Sequence, residues 1–180
     1  MQRVNPVSSD IQHERILTYL ESRHKRFAIL YRLGVESGLR VSDLLNLRVS
    51  HIRECQRVGS HTLTMKKTKT EITIKISPEL LTEIMSYIKS HKLRSEDALF
   101  WSRERNRRRP LSRQHVHRVL KAAGIAVDLE RIGTHSMRRT FALHLYRQCG
   151  DMREVQKAMG HKYISSTVCY MLDADRRLLV

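Results

Sequence analysis

The feature that most constrains the fold is the period of the hydrophobic pattern, which changes from helical to alternating between residues 61 and 77. In HTLTM (61–65) and EITIKIS (71–77), branched apolar residues alternate with polar ones, and KKTKT connects the two segments. Alternation of period two indicates strands with one buried face. These residues predict a β-hairpin or the edge of a small antiparallel sheet, with residues 51–53 as a candidate first strand.

The rest of the chain predicts helices, together with a short extended piece at residues 98–102. Apolar residues recur at helical spacing, and Ser77, Pro78 and Ser112 are residues that commonly begin a helix. The predicted helices cover residues 10–23, 25–38, 42–47, 78–91, 113–123, 135–149 and 151–159, and a last one starts near residue 165. Because no Pro/Gly/Ser-rich linker interrupts the 180 residues, the sequence predicts one predominantly helical α+β domain over residues 1–180.

Charge is the strongest compositional signal. The chain has 34 Lys and Arg against 18 Asp and Glu, a net charge of +16, and the excess is spread along the sequence. Such a surface predicts a polyanionic partner, with nucleic acid the first candidate. No apolar run approaches a membrane span and MQRVNPVSSD is not a signal peptide, so we expect a soluble cytoplasmic protein without a membrane partner. The three cysteines lack CxxC spacing, which argues against a zinc site.

The stretch from residue 133 to 171 has the densest chemistry. His135 and Arg138 are three apart and share one helix face, His161 follows a glycine, and Tyr170 lies nine residues further on. Guanidinium groups match the geometry of phosphate oxygens, and a phenol near positive charge and a base can attack at neutral pH. These residues predict chemistry on a phosphodiester. Two competing phenols, Tyr163 and Tyr146, are interpreted as packing aromatics.

The order of these motifs resembles the tyrosine recombinase (phage integrase) family from about residue 10 to the end. The chain shows GLR ending in Arg40, lysines in the KKTK turn, HSMR, MGH, and Tyr170. The resemblance implies the catalytic-domain fold of that family, with a small antiparallel sheet at one edge. It implies a site-specific recombinase that cleaves and rejoins DNA through a covalent 3′-phosphotyrosyl intermediate, without metal or other cofactor, in integration, excision or inversion.

The resemblance also assigns roles to residues. Arg40 and Arg138 would clamp the phosphate, His135 would assist proton transfer, His161 would donate a further hydrogen bond, and Tyr170 would be the nucleophile. Asp43 matches an acidic family position that would support the fold around Arg40. Apart from the resemblance, Ser42 is a candidate cap of the third helix, which would place Arg40 at a junction between two helices. The general acid would be a hairpin lysine. Lys67 is favoured for it, with Lys66 and Lys69 as alternatives.

The same resemblance implies double-stranded DNA as partner, a homotetramer on two DNA sites, and accessory DNA-bending proteins. The origin would be bacterial, phage or a mobile element, and the protein would act at the nucleoid. An N-terminal core-binding domain, common in the family, is not expected in residues 1–180. Two other functions stay open, a catalytically limited DNA-binding regulator derived from an integrase and a basic RNA-binding protein.

Contacts to DNA are predicted in the arginine-rich segment RERNRRRP (103–110), in the helix after Ser112 and in the hairpin turn. The alternative for the arginine-rich segment is a solvated loop. The candidate DNA-binding residues are Arg105, Arg107, Arg108, Arg109, Arg113, Lys66 and Lys69.

Overall fold

The computed structural model describes residues 4–64, 71–102, 108–129 and 131–172. These residues form nine helices and one two-stranded antiparallel sheet, which confirms the predicted helical α+β fold. The elements are α1 (Asp10–Arg23), α2 (Lys25–Ser37), α3 (Val41–Leu45), α4 (Val49–Val58), β1 (His61–Thr64), β2 (Glu71–Ile74), α5 (Pro78–Ser90), α6 (Arg113–Ala126), α7 (Thr134–Cys149), α8 (Met152–Met159) and α9 (Ile164–Leu172).

Helix α2 is the centre of the main hydrophobic core. Nearly all of its residues from Arg26 to Ser37 are buried, because the segment is apolar on several faces and is surrounded by other helices. It packs against α1, α3, α5 and α7. The helix ends at Gly38 in a left-handed conformation, with φ 61° and ψ 12°, as the sequence predicted. The chain changes direction at Gly38, and Arg40 follows two residues later, directly before α3.

The hairpin lies at the edge of the fold against α4. Ile72 and Ile74 of β2 are buried while Glu71 and Thr73 are exposed, which confirms the alternation predicted from the sequence. On the α4 side, Glu54 Oε2 lies 2.7 Å from His61 Nδ1 of β1. The turn at residues 65–70, with its lysines, lies outside the described residues.

Two local predictions in the first half of the chain are wrong. Residues 51–53 form part of α4, where Val49, Ile52 and Cys55 recur at helical spacing and are all buried. Three residues are too short a window to distinguish a period of two from a helical one. Ser42 lies inside α3, and the residue that precedes this helix is Arg40, which makes no side-chain capping bond.

A second, smaller hydrophobic cluster is formed where α7, α8 and α9 meet. It consists of Ala142 and Leu143 of α7, Val155 and Met159 of α8, and Met171 of α9, all buried. Helix α8 begins after Asp151, whose side chain accepts a hydrogen bond from Arg153 N, and ends at the left-handed Gly160. Helices α8 and α9 therefore pack through this separate cluster against the C-terminal half of α7.

We expect Gly38→Ala to destabilise the protein by about 2–4 kcal/mol, because it combines left-handed strain with a steric clash. A Cβ atom at Gly38 would lie 2.2 Å from Cδ1 of Phe141. The matched control is Gly150→Ala, where φ is also positive (66°) but nothing lies within 4 Å of the added atom. We expect the control to cost about 1 kcal/mol. Denaturant unfolding of both variants measures the difference, and equal losses would contradict the clash.

Candidate active site

Arg138 joins the segments that carry the other candidate residues. Its side chain is only 3% exposed. Arg138 Nη1 donates to the carbonyl oxygen of Gly38 at 2.5 Å, and Nη2 donates to the carbonyl oxygen of Met159. Gly38 lies two residues before Arg40, and Met159 lies two residues before His161. One buried guanidinium therefore fixes the end of α2 and the end of α8 beside each other.

Arg40 adds a second positive charge at this junction. Its Nη1 atom is buried and has no hydrogen-bond partner among the described residues. Burial, and then the charge of Arg40, lower the pKa of Arg138 to about 10, while Tyr170 and Asp43 act in the opposite direction. A buried N–H group without a partner is costly, so this arrangement favours an anionic ligand. Asp43 is buried nearby, and its charge acts on Arg138.

Tyr170 of α9 reaches the same junction. Its phenol oxygen is buried and makes no well-aligned hydrogen bond to any described residue. Burial raises the pKa of Tyr170, whereas the charges of Arg138, Arg139 and Arg40 lower it. The positive charges around the phenol thus favour the phenolate, whereas the loss of hydration on burial disfavours it. The phenol is close enough to three guanidinium groups for each to affect its ionisation.

His161 lies between the end of α8 and Tyr170. Its ring meets the ring of Tyr170 edge to face, with centroids 5.7 Å apart and an interplanar angle of 74°. His161 Nδ1 lies 3.0 Å from the hydroxyl oxygen of the buried Thr167, and Gln156 Nε2 donates to the carbonyl oxygen of His161. Burial, followed by Arg138 and Arg40, lowers the pKa of His161 to about 4. The imidazole is therefore neutral at physiological pH.

We expect His161 to make the stability of the protein depend on pH between about 6.5 and 4. Its pKa is 6.5 in the absence of the fold and about 4 within it. Between these values the unfolded chain binds a proton that the folded protein does not, so this contribution is full above pH 6.5 and is lost as pH falls towards 4. Because the ring is partly exposed, we expect wild type to lose on the order of 1 kcal/mol more than His161→Gln between pH 7 and pH 4.5. Urea unfolding at both pH values tests this, and parallel losses would contradict it.

His135 stands at the start of α7, on the solvent side of the junction. Its side chain is exposed, but the surrounding protein removes enough water to lower its pKa, and Arg113, Arg139, Arg138 and Arg40 lower it further. A neutral imidazole with access to solvent can accept a proton. His135 therefore lies near the two candidate arginines, as its spacing from Arg138 predicted.

Of the candidate DNA-binding residues, Arg113 lies near the site. It is exposed on the first turn of α6 and is the charged group with the largest effect on His135. Arg108 and Arg109 are also exposed, and Arg108 Nη2 lies 3.9 Å from Glu96 Oε1. Five predicted residues lie outside the described part of the chain: Arg105, Arg107, Lys66, Lys67 and Lys69.

Two residues of the site were not identified from the sequence. Thr167, which contacts His161, lies three residues before Tyr170 and hence on the same face of α9, a spacing that could have indicated it. Arg139 lies over the ring of Tyr170, and no spacing rule predicts that contact. Among the competing phenols, Tyr146 packs on the second cluster, but Tyr163 is 60% exposed, so its interpretation as a packing aromatic is wrong.

The described part of the chain gives no sign of a metal centre or a membrane span. There, no group of three or more His, Cys, Asp or Glu side chains is arranged to hold a metal ion. No helix within these residues is both long enough and apolar enough to cross a membrane. All three cysteines are free, and Cys149 and Cys169 are exposed.

Comparison with known proteins agrees with the fold and the motifs. The profile described as "Phage integrase family" matches residues 9–177. The chain is 34% identical over 176 residues to "Probable integrase/recombinase YoeC" of Bacillus subtilis, covering 97% of this chain and 93% of that protein. It is 34% identical over 147 residues to "Tyrosine recombinase XerA" of Pyrococcus furiosus, covering 81% of this chain but 49% of that protein. The chain thus spans about half the length of the XerA relative.

Solved structures show the same fold. A crystal structure of XerA recombinase superimposes with a TM-score of 0.75 at 22% identity, covering 99% of this chain and 62% of that chain. A lambda integrase tetramer bound to a Holliday junction matches with a TM-score of 0.70 at 21% identity, covering 98% of this chain and 50% of that chain. With its motifs in order, its family profile matched over most of its length and its fold shared with these enzymes, the chain belongs to the phage integrase family of tyrosine recombinases.

Proposed function

We propose that this recombinase cleaves and rejoins DNA strands with Tyr170 as nucleophile. Tyr170 Oη attacks the phosphorus of a DNA phosphodiester, the bond from phosphorus to the 5′-oxygen breaks, and the phenol proton passes to a base. The products are a 3′-phosphotyrosyl bond and a 5′-hydroxyl. Because the phosphotyrosyl linkage replaces one phosphodiester with another, a second 5′-hydroxyl can attack it, release Tyr170 and join a new strand. The outcome is integration, excision or inversion of a DNA segment.

One observation carries the proposal, namely a pair of buried polar atoms that make no well-aligned hydrogen bond to a described residue. Arg40 Nη1 is a donor that suits a non-bridging phosphate oxygen, and Tyr170 Oη is the atom that would attack. Both lie at the junction around Arg138, since each affects its ionisation. A phosphodiester bound there would satisfy the donor and bring phosphorus near the phenol.

Arg138 is proposed as the second half of the phosphate clamp. A guanidinium has five N–H donors, and two carbonyl oxygens, of Gly38 and Met159, engage one donor each on Nη1 and Nη2. The remaining donors make no hydrogen bond to a described residue and can bind oxygens of the phosphate, whose extra negative charge develops as the phenol attacks. The carbonyl bonds orient the guanidinium before DNA arrives, which reduces the cost of reorganisation.

The two histidines are proposed to act in neutral form. If the hydroxyl of Thr167 donates to Nδ1 of His161, the ring carries its proton on Nε2, and that N–H is a donor for a phosphate oxygen. His135 is proposed to take the phenol proton, because its pKa is lowered and its ring reaches solvent. Lys67, with Lys66 and Lys69 as alternatives, is proposed to protonate the leaving 5′-oxygen.

The partner is proposed to be double-stranded DNA, bound by Arg113 next to the site and by the arginine-rich segment with Arg105, Arg107, Arg108 and Arg109. The net charge of +16 supports a polyanionic partner. A related structure is a tetramer on a Holliday junction. By analogy we propose a homotetramer on two DNA sites, assisted by DNA-bending proteins, which acts at the nucleoid in the cytoplasm.

Covalent capture tests the proposal even when the sequence of the DNA site is unknown. The protein is mixed with duplex oligonucleotides of randomised sequence, denatured in detergent, and the DNA that stays attached is sequenced. We expect adducts in which the 3′ end is blocked by a peptide after protease digestion, while the new 5′ end is a hydroxyl that polynucleotide kinase labels directly.

Three outcomes would contradict the mechanism. Adducts that disappear when a metal chelator is added would show that the attack depends on a metal ion, contrary to the metal-independent mechanism. Tight DNA binding without any adduct, in the presence of duplexes selected for binding, would indicate a DNA-binding regulator. A clear preference for RNA over duplex DNA would favour an RNA-binding protein.

A further inference from the structure

We infer that Arg139 is a positioning residue that holds the phenol of Tyr170 against α7 and favours its attacking, deprotonated form. The inference rests on the proposed function, in which Tyr170 is the nucleophile. Arg139 follows directly after Arg138 but points to a different neighbour, because successive residues of a helix differ by about 100° in direction. Arg138 faces two carbonyl oxygens, whereas Arg139 faces the aromatic ring of Tyr170.

The contact between Arg139 and Tyr170 is close and buried. Cζ of Arg139 lies 5.0 Å from the centroid of the Tyr170 ring, and the arginine is only 7% exposed. A guanidinium over an aromatic face within about 6 Å is an attractive cation–π arrangement, stronger where water is excluded. The guanidinium also approaches the phenol oxygen without reaching the geometry of a full hydrogen bond.

Together, Arg139 and His161 fix the orientation of the nucleophile. Arg139 covers the ring of Tyr170, and His161 meets it at a steep angle of 74°. A ring bounded in this way by two side chains has few other positions available without losing both contacts. Since misplacing a reacting atom by about 1 Å is costly, a residue that limits the movement of the ring contributes to rate without touching DNA.

Charge gives Arg139 a second effect. Among the described residues, the charged and titratable groups that face the phenol are Arg138 and Arg139 of α7, Arg40 before α3 and His161 after α8. Of these, Arg40 and Arg138 would be offset by the negative phosphate once DNA is bound. Arg139 lies against the ring and is not part of the proposed clamp. Its position over the ring does not depend on a bound phosphate, so its effect on the ionisation of the phenol is retained in the complex with DNA.

Fluorine NMR of protein containing 3-fluorotyrosine tests this in the free protein. The Tyr170 resonance is assigned by its absence from Tyr170→Phe. In the neutral variants Arg139→Met and Arg139→Gln, we expect the titration midpoint of Tyr170 to rise by about one pH unit or more, and its resonance to move because the stacked cation is gone. Arg139→Lys should restore part of the shift in the midpoint, since it keeps the charge without the planar group.

Controls separate positioning from folding. Arg147→Met removes an exposed arginine at the other end of α7 and should leave the Tyr170 midpoint unchanged. The resonance of Tyr31, a fully buried residue of the main core, reports whether each variant is folded. A Tyr170 midpoint and chemical shift equal to wild type, in either folded neutral variant, would overturn the inference.

Formation of the covalent adduct supplies the functional readout. For Arg139→Met we expect the rate at neutral pH to fall about tenfold for each unit of rise in the Tyr170 midpoint, and to recover as pH is raised. A purely structural defect would not recover in this way. The fluorine titration needs no DNA, so its result is independent of the proposed nucleophile. If Tyr170→Phe still forms adducts, the proposed nucleophile is refuted, but the titration still tests the contact between Arg139 and the phenol.

Discussion

Tyr170→Phe is expected to abolish the covalent protein–DNA adduct, with a loss of at least about 10⁴-fold in rate. Phenylalanine lacks the oxygen that forms the phosphotyrosyl bond, and no described neighbour can take its place at the same position. The phenol oxygen is buried and makes no well-aligned hydrogen bond to a described residue, so its removal should change stability little. DNA binding should persist because the arginines are retained.

The matched control for this variant is Tyr163→Phe. Tyr163 also lies near His161 in the sequence, but it is 60% exposed and stacks with Lys162, whose Nζ is 5.2 Å from the ring centroid. We expect Tyr163→Phe to form adducts at the wild-type rate. Detergent gels of both variants with the captured duplexes make the comparison, and an adduct formed by Tyr170→Phe but lost in Tyr163→Phe would reassign the nucleophile.

The second large effect concerns the two clamp arginines. Arg138→Met and Arg40→Met should reduce adduct formation by similar factors but differ in their free energy of unfolding. Arg138→Met removes the donor to the carbonyl oxygens of Gly38 and Met159, leaving two buried acceptors unpaired. We expect it to cost about 3–5 kcal/mol of unfolding free energy and about 10³-fold or more in adduct formation. Denaturant unfolding and the covalent capture assay measure the two losses separately.

Arg40→Met should lose a similar factor in adduct formation while changing stability by less than about 1 kcal/mol. Arg40 Nη1 makes no hydrogen bond to a described residue, and the charge of Arg40 opposes that of Arg138. Removing it relieves repulsion in the protein without DNA. Equal stability losses in the two variants would show that Arg40 has a structural role, and full adduct formation in Arg40→Met would remove it from the clamp.

Much of the fold follows from local signals in the sequence. The helix over residues 78–90 was predicted from Ser77 and Pro78, and Ser77 indeed accepts a hydrogen bond from Leu80 N. The hairpin was predicted from its alternation, which is clearest in β2, where Ile72 and Ile74 are buried and Glu71 and Thr73 are exposed. By contrast, residues 51–53 were wrongly assigned to a strand. The helix is identified by the burial of Val49, Ile52 and Cys55, and that burial depends on contacts with distant parts of the chain.

The site was predictable where motifs recur at fixed spacing and unpredictable where tertiary packing determines the neighbours. His135, Arg138, His161 and Tyr170 were singled out from their order, and the structure brings them together with Arg40. The packing of Arg139 on the ring of Tyr170 depends on how α9 lies across α7. Nothing in the local sequence encodes that crossing, and for the same reason the carbonyl partners of Arg138 could not be predicted.

The existence of two hydrophobic clusters has a consequence for cooperativity. The smaller cluster, where α8 and α9 meet α7, buries few apolar side chains, so the helices around it should open more often than the main core. Amide hydrogens of α8 and α9 should then exchange with deuterium through an opening that leaves α2 intact. Each such opening would break the hydrogen bond from Arg138 to the carbonyl oxygen of Met159 and move Tyr170 away from the two clamp arginines. The free enzyme would therefore spend part of its time in a conformation that cannot attack DNA.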